Sequence, residues 1–366
     1  MAFKPIYLSE GYRMFRRSLR VRKTGFRQYD GDAKQICRQV IDSCWNREKK
    51  YFMASNGHFC QFWTRDFGLC AEHLIHLGYR EQVLKTLEYA LKRFKSAGRI
   101  TTTITPGGKP FDFPTYAPDS LAYILLSLKV SHSRWLIEHY KQFLEEQIGF
   151  FFDNVIDRKT GLVRKDVNFS SMRDQSLRVS SCYDNVMAAM VKALCNDLSL
   201  HNPFGNCCTK EKIKTAFWKG SYFVDDLSCR NVASGDANTF PYWTGLFEEK
   251  RMINSSILKI QKLGLDMPFP LKYTKDANEK MIIISVFSNN YEGNTAWVLL
   301  GGAYLSVVRK ADKKLFAKYA QEYKLWIEKY KNYLEVFNPD GIPYKSPFYY
   351  CDESMLWASI YLDLIS

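Results

Sequence analysis

The stretch Gln61-Phe62-Trp63-Thr64-Arg65-Asp66-Phe67-Gly68 leads directly into a helical pattern of apolar residues. The pattern continues through Cys70, Leu74 and Leu77 and ends at Gly78. An Asp at the start of a helix is usually a capping residue. Here an indole, a guanidinium and a carboxylate fall next to that start. Arg65 and Asp66 are suited to hold adjacent sugar hydroxyls, with Trp63 as a stacking floor.

The same helical spacing extends through most of the 366 residues. It predicts helices near 36–44, 67–77, 83–94, 118–128, 135–156, 183–198, 210–218, 239–263, 294–308, 313–337 and 353–365. Strand-like runs are few, and the clearest, at 99–104 and 281–286, predict small hairpins at loops. Helix pairs recur at roughly 40–55 residues, which is typical of a closed ring of helix hairpins. We therefore predict an all-α (α/α)6 toroid with short β-hairpins in its loops.

No linker or low-complexity segment divides the sequence. We predict one toroid domain over residues 31–366, preceded by a basic arm over residues 1–30. In such a ring alternate helices lie inside, and the loops that enter them meet at one end. Candidate site residues are therefore expected just before helix starts.

Several such loops carry an aromatic residue with a carboxylate or an amide. Capping explains Asp119 as well as a binding role does, and a surface position is the alternative for Asp174. Together with Trp63, Arg65 and Asp66, the candidates are Tyr116, Asp119, Arg173, Asp174, Asp184, Asp236, Asn238, Trp243, Glu292, Trp297, Tyr344, Asp352 and Glu353.

The net charge of +14 raises the question of nucleic-acid binding. No nucleic-acid-binding signature is present and the basic residues are spread along helical stretches, so a solvated basic surface is expected and nucleic acid is not. The exception is 13–27, where six arginines and one lysine fit an acidic partner or a docking segment.

The ten cysteines include no cluster with zinc spacing, and no apolar run has the length of a membrane span. No secretory leader is recognisable. We expect a cytoplasmic protein with reduced thiols, without a metal, an organic cofactor or a membrane partner. The oligomeric state is left open.

The order and chemistry of these loops resemble the (α/α)6 glycoside hydrolases. The glucosidase domain of glycogen-debranching enzymes and the alkaline/neutral invertases are closest, with glucoamylases and trehalases more distant. Trp63-Thr64-Arg65-Asp66 is similar to their Trp-x-Arg-Asp run, and Met172-Arg173-Asp174 to their Met-x-Asp loop. Gly293 to Trp297 is similar to their late Gly and Trp helix start.

The resemblance implies an inverting hydrolase of α-linked glucosides, either oligosaccharides or disaccharides, with Asp174 as the general acid. The invertases place the general base where this chain has Tyr344, and the debranching enzymes place it where this chain has Ala296. Glu292 is therefore the predicted base, with Asp352 and Glu353 as nearby substitutes.

Two other functions stay open at this point. One is a carbohydrate-binding protein on the same fold that has lost its catalytic base. The other is a sugar epimerase, because the N-acylglucosamine 2-epimerases share the toroid and use histidines near the cleft. His73 and His76 lie on a predicted helix, where a core or surface role is the alternative.

Overall fold

The computed structural model describes residues 5–228, 230–276 and 288–366, and helices dominate these ranges. The hairpin predicted at 281–286 lies outside the described residues. The helices are α1 (Pro5–Thr24), α2 (Ala33–Ser43), α3 (Thr64–His76), α4 (Arg80–Ala97), α5 (Pro118–Val130), α6 (Arg134–Val155), α7 (Cys182–Asp197), α8 (Lys210–Phe217), α9 (Phe240–Trp243), α10 (Lys250–Leu263), α11 (Val298–Ala311), α12 (Lys313–Tyr330) and α13 (Ala358–Leu364).

The odd-numbered helices from α3 onward form a closed inner ring. Each contacts the next, and α13 contacts α3 to close the circle. The even-numbered helices pack outside, with α4 and α6 against α5, α8 against α7, and α10 and α12 against α11. The structure confirms the predicted all-α (α/α)6 toroid.

Burial separates the two rings. Most residues of α5, α7 and α11 are buried on all sides of the helix, whereas α10 and α12 bury one face only. A helix that is buried all round belongs inside a large core, and an amphipathic one belongs at its edge. The inner helices also approach closely, because a Cβ added at Gly68 of α3 would lie 2.3 Å from the Cβ of Tyr123 in α5.

Short antiparallel strands tie the loops together at the ends of the helices. They are β1 (Trp45–Asn46), β2 (Tyr51–Phe52), β3 (Phe62–Trp63), β4 (Thr103–Ile104), β5 (Pro110–Phe111), β6 (Ile156–Asp157), β7 (Leu162–Val163), β8 (Ala296–Trp297) and β9 (Val336–Phe337). Strands β4 and β5 pair, which confirms the hairpin predicted at 99–104. Strand β8 pairs with β9 and so joins the loop before α11 to the segment after α12.

Two predicted helices are wrong in extent. The helix predicted at 239–263 is broken between α9 and α10, where Gly245 has a φ of 75° that a helix does not tolerate. The helix predicted at 313–337 stops at Tyr330, because Lys331 adopts a left-handed conformation with a φ of 49°. Residues 331–335 form a turn and irregular backbone that lead into β9.

Helix α1 lies within the predicted basic arm, where the sequence predicted no helix. It crosses the end of the ring at which loops enter the inner helices, and its hydrogen bonds reach the segments 56–61, 112–114 and 346–349. The domain boundary at residue 30 stays a prediction. Among the described helices, none combines the length and the apolar character needed to cross a membrane.

Candidate active site

The N-terminal ends of the inner helices surround a cavity of about 90 Å³, counted as space for the centres of water molecules. That is room for several ordered waters. Its walls carry four carboxyl groups, one guanidinium and a set of aromatic rings. The lining residues are Phe59, Trp63, Arg65, Asp66, Phe113, Met172, Asp174, Gln175, Tyr273, Tyr291, Glu292, Trp297, Leu299, Glu335 and Trp357.

Arg65 links two of the predicted carboxylates. Its Nε donates to Asp119 Oδ2 at 2.5 Å and its NH2 to Asp174 Oδ1 at 3.1 Å. Asp119 is fully buried behind the cavity wall and also accepts from the Tyr183 hydroxyl at 2.9 Å. Burial raises the pKa of Asp119 despite the nearby guanidinium. Asp119 therefore orients Arg65, and no side chain caps α5.

Asp174 lies on the open side of the cavity, with 19% of its side chain exposed. Besides Arg65, the Ser170 hydroxyl donates to its Oδ1 at 2.7 Å. Asp174 and Asp66 share this one cavity, as a toroidal arrangement of the two loops requires.

Asp66 occupies the first turn of α3 but does not cap it. Its Oδ1 accepts a hydrogen bond of 2.9 Å from the Trp357 indole. Burial is the main cause that raises the pKa of Asp66 to about 7. Trp357 comes from the segment before α13, so this bond joins the first and last loops of the ring.

Glu292 is held against the loop that carries Asp174. Its Oε1 accepts from the backbone amide of Asp174 at 2.9 Å, and its Oε2 from the amide of Gln175 at 2.7 Å. Burial, followed by the charge of Asp174, raises the pKa of Glu292 to about 8. Both carboxyl oxygens of Glu292 thus stabilise the loop that carries Asp174.

Glu335 is a fourth carboxyl in the cavity, and the sequence reasoning missed it. It is 1% exposed and accepts from the hydroxyls of Tyr291 and Tyr349, the latter at 2.6 Å. The backbone amide of Asp352 also donates to it at 2.8 Å. Burial, followed by the charge of Asp352, raises the pKa of Glu335 to about 8.

Glu335 was not predicted as a site residue because it lies within the helix predicted at 313–337. A usable signal was present in the alternation of Leu334, Glu335 and Val336 just before the turn residues 338–341, which is typical of a short strand.

Two predicted site residues, Arg173 and Asp236, lie behind the cavity wall in a buried ion cluster and do not line the cavity. Arg173 forms an ion pair with Asp225, and Arg178 pairs with Asp236 at 2.9 Å and Asp225 at 3.6 Å. These four charges are buried and anchor the loop of Asp174. Two other predicted residues are also internal: Asp184 accepts from Ser181 at 2.6 Å, and Asn238 donates to two backbone carbonyls.

Four more predicted residues serve neighbouring segments. Tyr116 packs edge-on against Phe150, and the Tyr344 hydroxyl donates to the carbonyl of Asn289 at 2.7 Å. Asp352 accepts from the amide of Phe59 at 2.9 Å and thereby fixes the loop 55–59. Glu353 accepts from the amide of Arg27 and from the amide side chain of Asn332 at 3.3 Å.

The prediction that Trp243 belongs to the candidate site is wrong, because Trp243 lines a separate cavity at the opposite end of the ring. Helix α9 has only four residues, so its last residue already faces the C-terminal ends of the inner helices. His73 and His76 line that same opposite cavity, where both contact Asp363, at 2.7 and 3.1 Å. His73 and His76, the histidines considered for an epimerase, therefore lie at the opposite end of the ring from Asp174.

In the part of the chain that the structure describes, no group of three or more His, Cys, Asp or Glu side chains has the geometry of a metal site. The polar set in the cavity consists of Arg65, Asp66, Asp174, Glu292 and Glu335, with Gln175 and tyrosine hydroxyls. Paired carboxyls beside aromatic rings suit proton transfer on a neutral polyhydroxylated ligand.

No family model matches the chain, and no curated protein matches it in sequence. Solved structures do match its fold. A rhamnosidase from Klebsiella oxytoca with rhamnose bound superposes with a TM-score of 0.65 at 11% identity; the match covers 91% of this chain and 62% of that one.

A second match is a glycosidase in complex with glucose, with a TM-score of 0.63, 12% identity and coverage of 99% of this chain and 98% of that one. A third is the GH63 mannosylglycerate hydrolase from Thermus thermophilus in complex with Tris and D-glycerate, with a TM-score of 0.61, 10% identity and coverage of 91% and 99%. This chain thus spans almost the whole of these two proteins, but under two thirds of the rhamnosidase. The chain therefore has the helical-toroid fold found in these glycoside hydrolases.

Proposed function

We propose that this protein is an inverting glycoside hydrolase with Asp174 as the general acid. The observation that carries the proposal is the cavity at the N-terminal ends of the inner helices, where carboxyl groups at different depths meet aromatic walls. Asp174 lies at the open side and Glu335 in the buried interior. An inverting hydrolase needs such a pair, because one carboxyl protonates the leaving oxygen while the other activates a water on the opposite face of the sugar.

For the general base we propose Glu335 in place of Glu292, the residue that the sequence predicts. The two carboxyls of an inverting pair are about 6.5–9.5 Å apart, which leaves room for the water. Glu292 is bonded to the backbone of Asp174 itself, so it lies on the side of the acid. Glu335 is held instead by Tyr291, Tyr349 and the amide of Asp352. Glu292 then acts as a positioning residue for the loop of the acid.

We propose α-linked glucosides as the substrate class. The support is the resemblance of Trp63 to Asp66 and of Met172 to Asp174 to the debranching enzymes and invertases, together with a glycosidase of the same fold that was solved with glucose. In this assignment Asp66 and Arg65 bind ring hydroxyls, Trp357 packs on an apolar face of the sugar, and Trp63 lies at the opening of the cavity.

The reaction then runs in one displacement. Asp174 gives its proton to the glycosidic oxygen as the bond to the anomeric carbon breaks. A water held by Glu335 gives up a proton to that carboxylate and attacks the opposite face, so the released sugar has the inverted anomeric configuration. Burial raises the pKa of Glu335 to about 8. The carboxylate form that the base needs therefore becomes more populated as the pH rises through that value.

The test compares Asp174→Asn, Glu335→Gln and Glu292→Gln on two substrates. Fluoride leaves without a proton, so Asp174→Asn is expected to lose about 10²–10⁴-fold in rate on an alkyl α-glucoside but to keep activity on α-glucosyl fluoride. Glu335→Gln is expected to lose activity on both. NMR of the first-formed anomer with the unmodified chain reports inversion or retention.

The matched control is Asp340→Asn, an exposed carboxyl in the loop that follows Glu335, which is expected to behave as the unmodified chain. If Glu292→Gln is inactive on both substrates while Glu335→Gln is active, the base is Glu292 and our assignment is wrong. Binding of glucosides without any turnover by the unmodified chain would support a carbohydrate-binding protein instead.

A further inference from the structure

We infer that the subsite for the leaving group takes a flat, apolar and uncharged aglycone, and that α1 holds its walls in place. This inference rests on the proposed function. It concerns the open side of the cavity, which that function uses without specifying what lies there.

The exposure of the lining residues marks where the cavity opens. Phe59, Trp63, Phe113 and Asp174 keep intermediate exposure, whereas the other lining residues are buried. A leaving group protonated by Asp174 must depart through this opening. It therefore passes between two phenyl rings and an indole.

The charge of the lining selects against an acidic leaving group. Among the described lining residues, the single cationic side chain is Arg65, and both Asp119 and Asp174 already pair with it. The opening offers rings to its ligand. Burial of apolar surface on these rings favours an aromatic or similarly flat aglycone.

One wall, at Phe113, is fixed by Tyr7 of α1. The Tyr7 hydroxyl donates to the carbonyls of Asp112 at 3.0 Å and Pro114 at 3.2 Å, on both sides of Phe113. The two rings also meet edge-on, with centroids 5.5 Å apart.

The opposite wall, at Phe59, is fixed by two arginines of α1. Arg13 NH1 donates to the carbonyl of His58 at 2.6 Å, and Arg17 NH2 donates to the carbonyl of Asn56 at 2.8 Å. The Phe59 ring in turn packs edge-on against Trp63, with centroids 5.6 Å apart.

A third contact of α1 reaches Trp63 through a relay. The Gln61 amide donates to Glu10, and the Trp63 indole donates to Gln61 Oε1 at 3.0 Å. Helix α1 thus positions all three rings of the opening through one face. Its other face, which includes Tyr12 and Arg16, is exposed.

The test measures binding of 1-thio-α-glucosides, which resist hydrolysis, by calorimetry. The unmodified chain is expected to bind the phenyl compound at least about tenfold more tightly than the methyl compound, and to lose that advantage when the phenyl ring carries a carboxylate. Arg13→Ala and Tyr7→Phe are expected to reduce the preference for phenyl over methyl severalfold with little change in the Kd for glucose. The control, Arg16→Ala on the exposed face of the same helix, is expected to change neither.

Equal affinity for the phenyl and methyl compounds, or tighter binding of the carboxylated one, would overturn the inference. So would an Arg13→Ala variant with an unchanged melting temperature that weakens glucose and phenyl glucoside equally. The readout is separate from catalysis: a phenyl preference without hydrolysis of any glucoside contradicts the proposed enzyme but supports the aglycone subsite. A chain that binds no glucoside contradicts both.

Discussion

At the scale of single residues, Glu335 shows how opposing influences set the ionisation of a buried acid. Removal from water disfavours its charged form, while the hydroxyls of Tyr291 and Tyr349 donate to the carboxylate and favour it. Burial dominates, so the pKa of Glu335 rises to about 8. The hydrogen bonds from Tyr291 and Tyr349 limit this rise in the pKa of Glu335.

This balance predicts the effect of Tyr349→Phe on the pH dependence of hydrolysis. Loss of the 2.6 Å hydrogen bond removes stabilisation from the carboxylate only, so the pKa of Glu335 should rise. A hydrogen bond to a charged group is worth about 1.5–3 kcal/mol, which corresponds to an upward shift of roughly 1–2 units in the pKa of Glu335. The pH profile of kcat/KM measures that shift.

The control for that experiment is Tyr242→Phe, which removes another buried hydroxyl, one that donates to the carbonyl of Met252 at 3.0 Å. Its pH profile should match that of the unmodified chain. If the pH profile of kcat/KM is not shifted in Tyr349→Phe, the group that titrates in this profile is not Glu335.

The sequence predicted three of the four carboxyls that line the cavity, and each lies in the loop that enters an inner helix or in the first turn of that helix. Asp66, Asp174 and Glu292 all line the cavity, because a loop that enters an inner helix must deliver its side chains to that end of the ring. Glu335 was missed because it follows an outer helix instead. Arg173 and Asp236 were predicted to touch a ligand but belong to a buried ion cluster with Asp225 and Arg178. A sequence does not reveal which buried charges neutralise one another.

At the scale of the elements, close approach of the inner helices depends on small residues. Gly68 of α3 faces Tyr123 of α5, and an added Cβ would collide with that ring. Gly149 lies in the outer helix α6, where an added Cβ meets nothing within 4 Å. The two glycines are therefore a matched pair for testing how tightly the inner ring is packed.

We expect Gly68→Ala to lower the free energy of unfolding by about 1–3 kcal/mol, because overpacking forces α3 and α5 apart. Gly149→Ala should instead raise it by about 0.5–1 kcal/mol, because alanine favours the helix. Urea unfolding of both variants measures the difference. If both substitutions raise the free energy of unfolding by the same amount, the prediction is wrong, because α3 and α5 would then move apart without cost.

The periodicity of apolar residues predicted where helices occur, but it did not predict where two of them end. The breaks after Trp243 and Tyr330 were missed because apolar residues continue across them at helical spacing. Gly245 and Lys331 impose those breaks through positive φ angles, and a lysine carries no sequence signal for that conformation.

At the scale of the whole molecule, the end of the ring that holds the candidate active site carries several buried acids with raised pKa values. The pKa of Asp66 rises from 3.8 to about 7, and those of Glu292 and Glu335 from 4.5 to about 8, with burial as the leading cause in each. Between about pH 5 and pH 8 these three groups therefore bind more protons in the folded chain than in the unfolded chain, which outweighs the opposite contribution of the buried His58, whose pKa is lowered by burial. By linkage, stability must fall as the pH rises through this window.

This predicts a lower free energy of unfolding at pH 8.5 than at pH 5.5, measured by urea unfolding. Glu292→Gln removes one contributor, so its stability should depend less on pH over the same interval. An exposed control, Asp340→Asn, should leave the slope unchanged. A free energy of unfolding that increases between pH 5.5 and 8.5 would contradict the prediction.

The four charges behind the cavity wall, Arg173, Arg178, Asp225 and Asp236, limit how these positions can change by single substitutions. Replacing a whole buried ion cluster by apolar side chains is often tolerated, whereas removing one member strands a charge in the interior at about 3–5 kcal/mol. A single apolar substitution at any one of these four positions is therefore expected to destabilise the fold. Over evolutionary time these positions should thus be exchanged as a block or not at all.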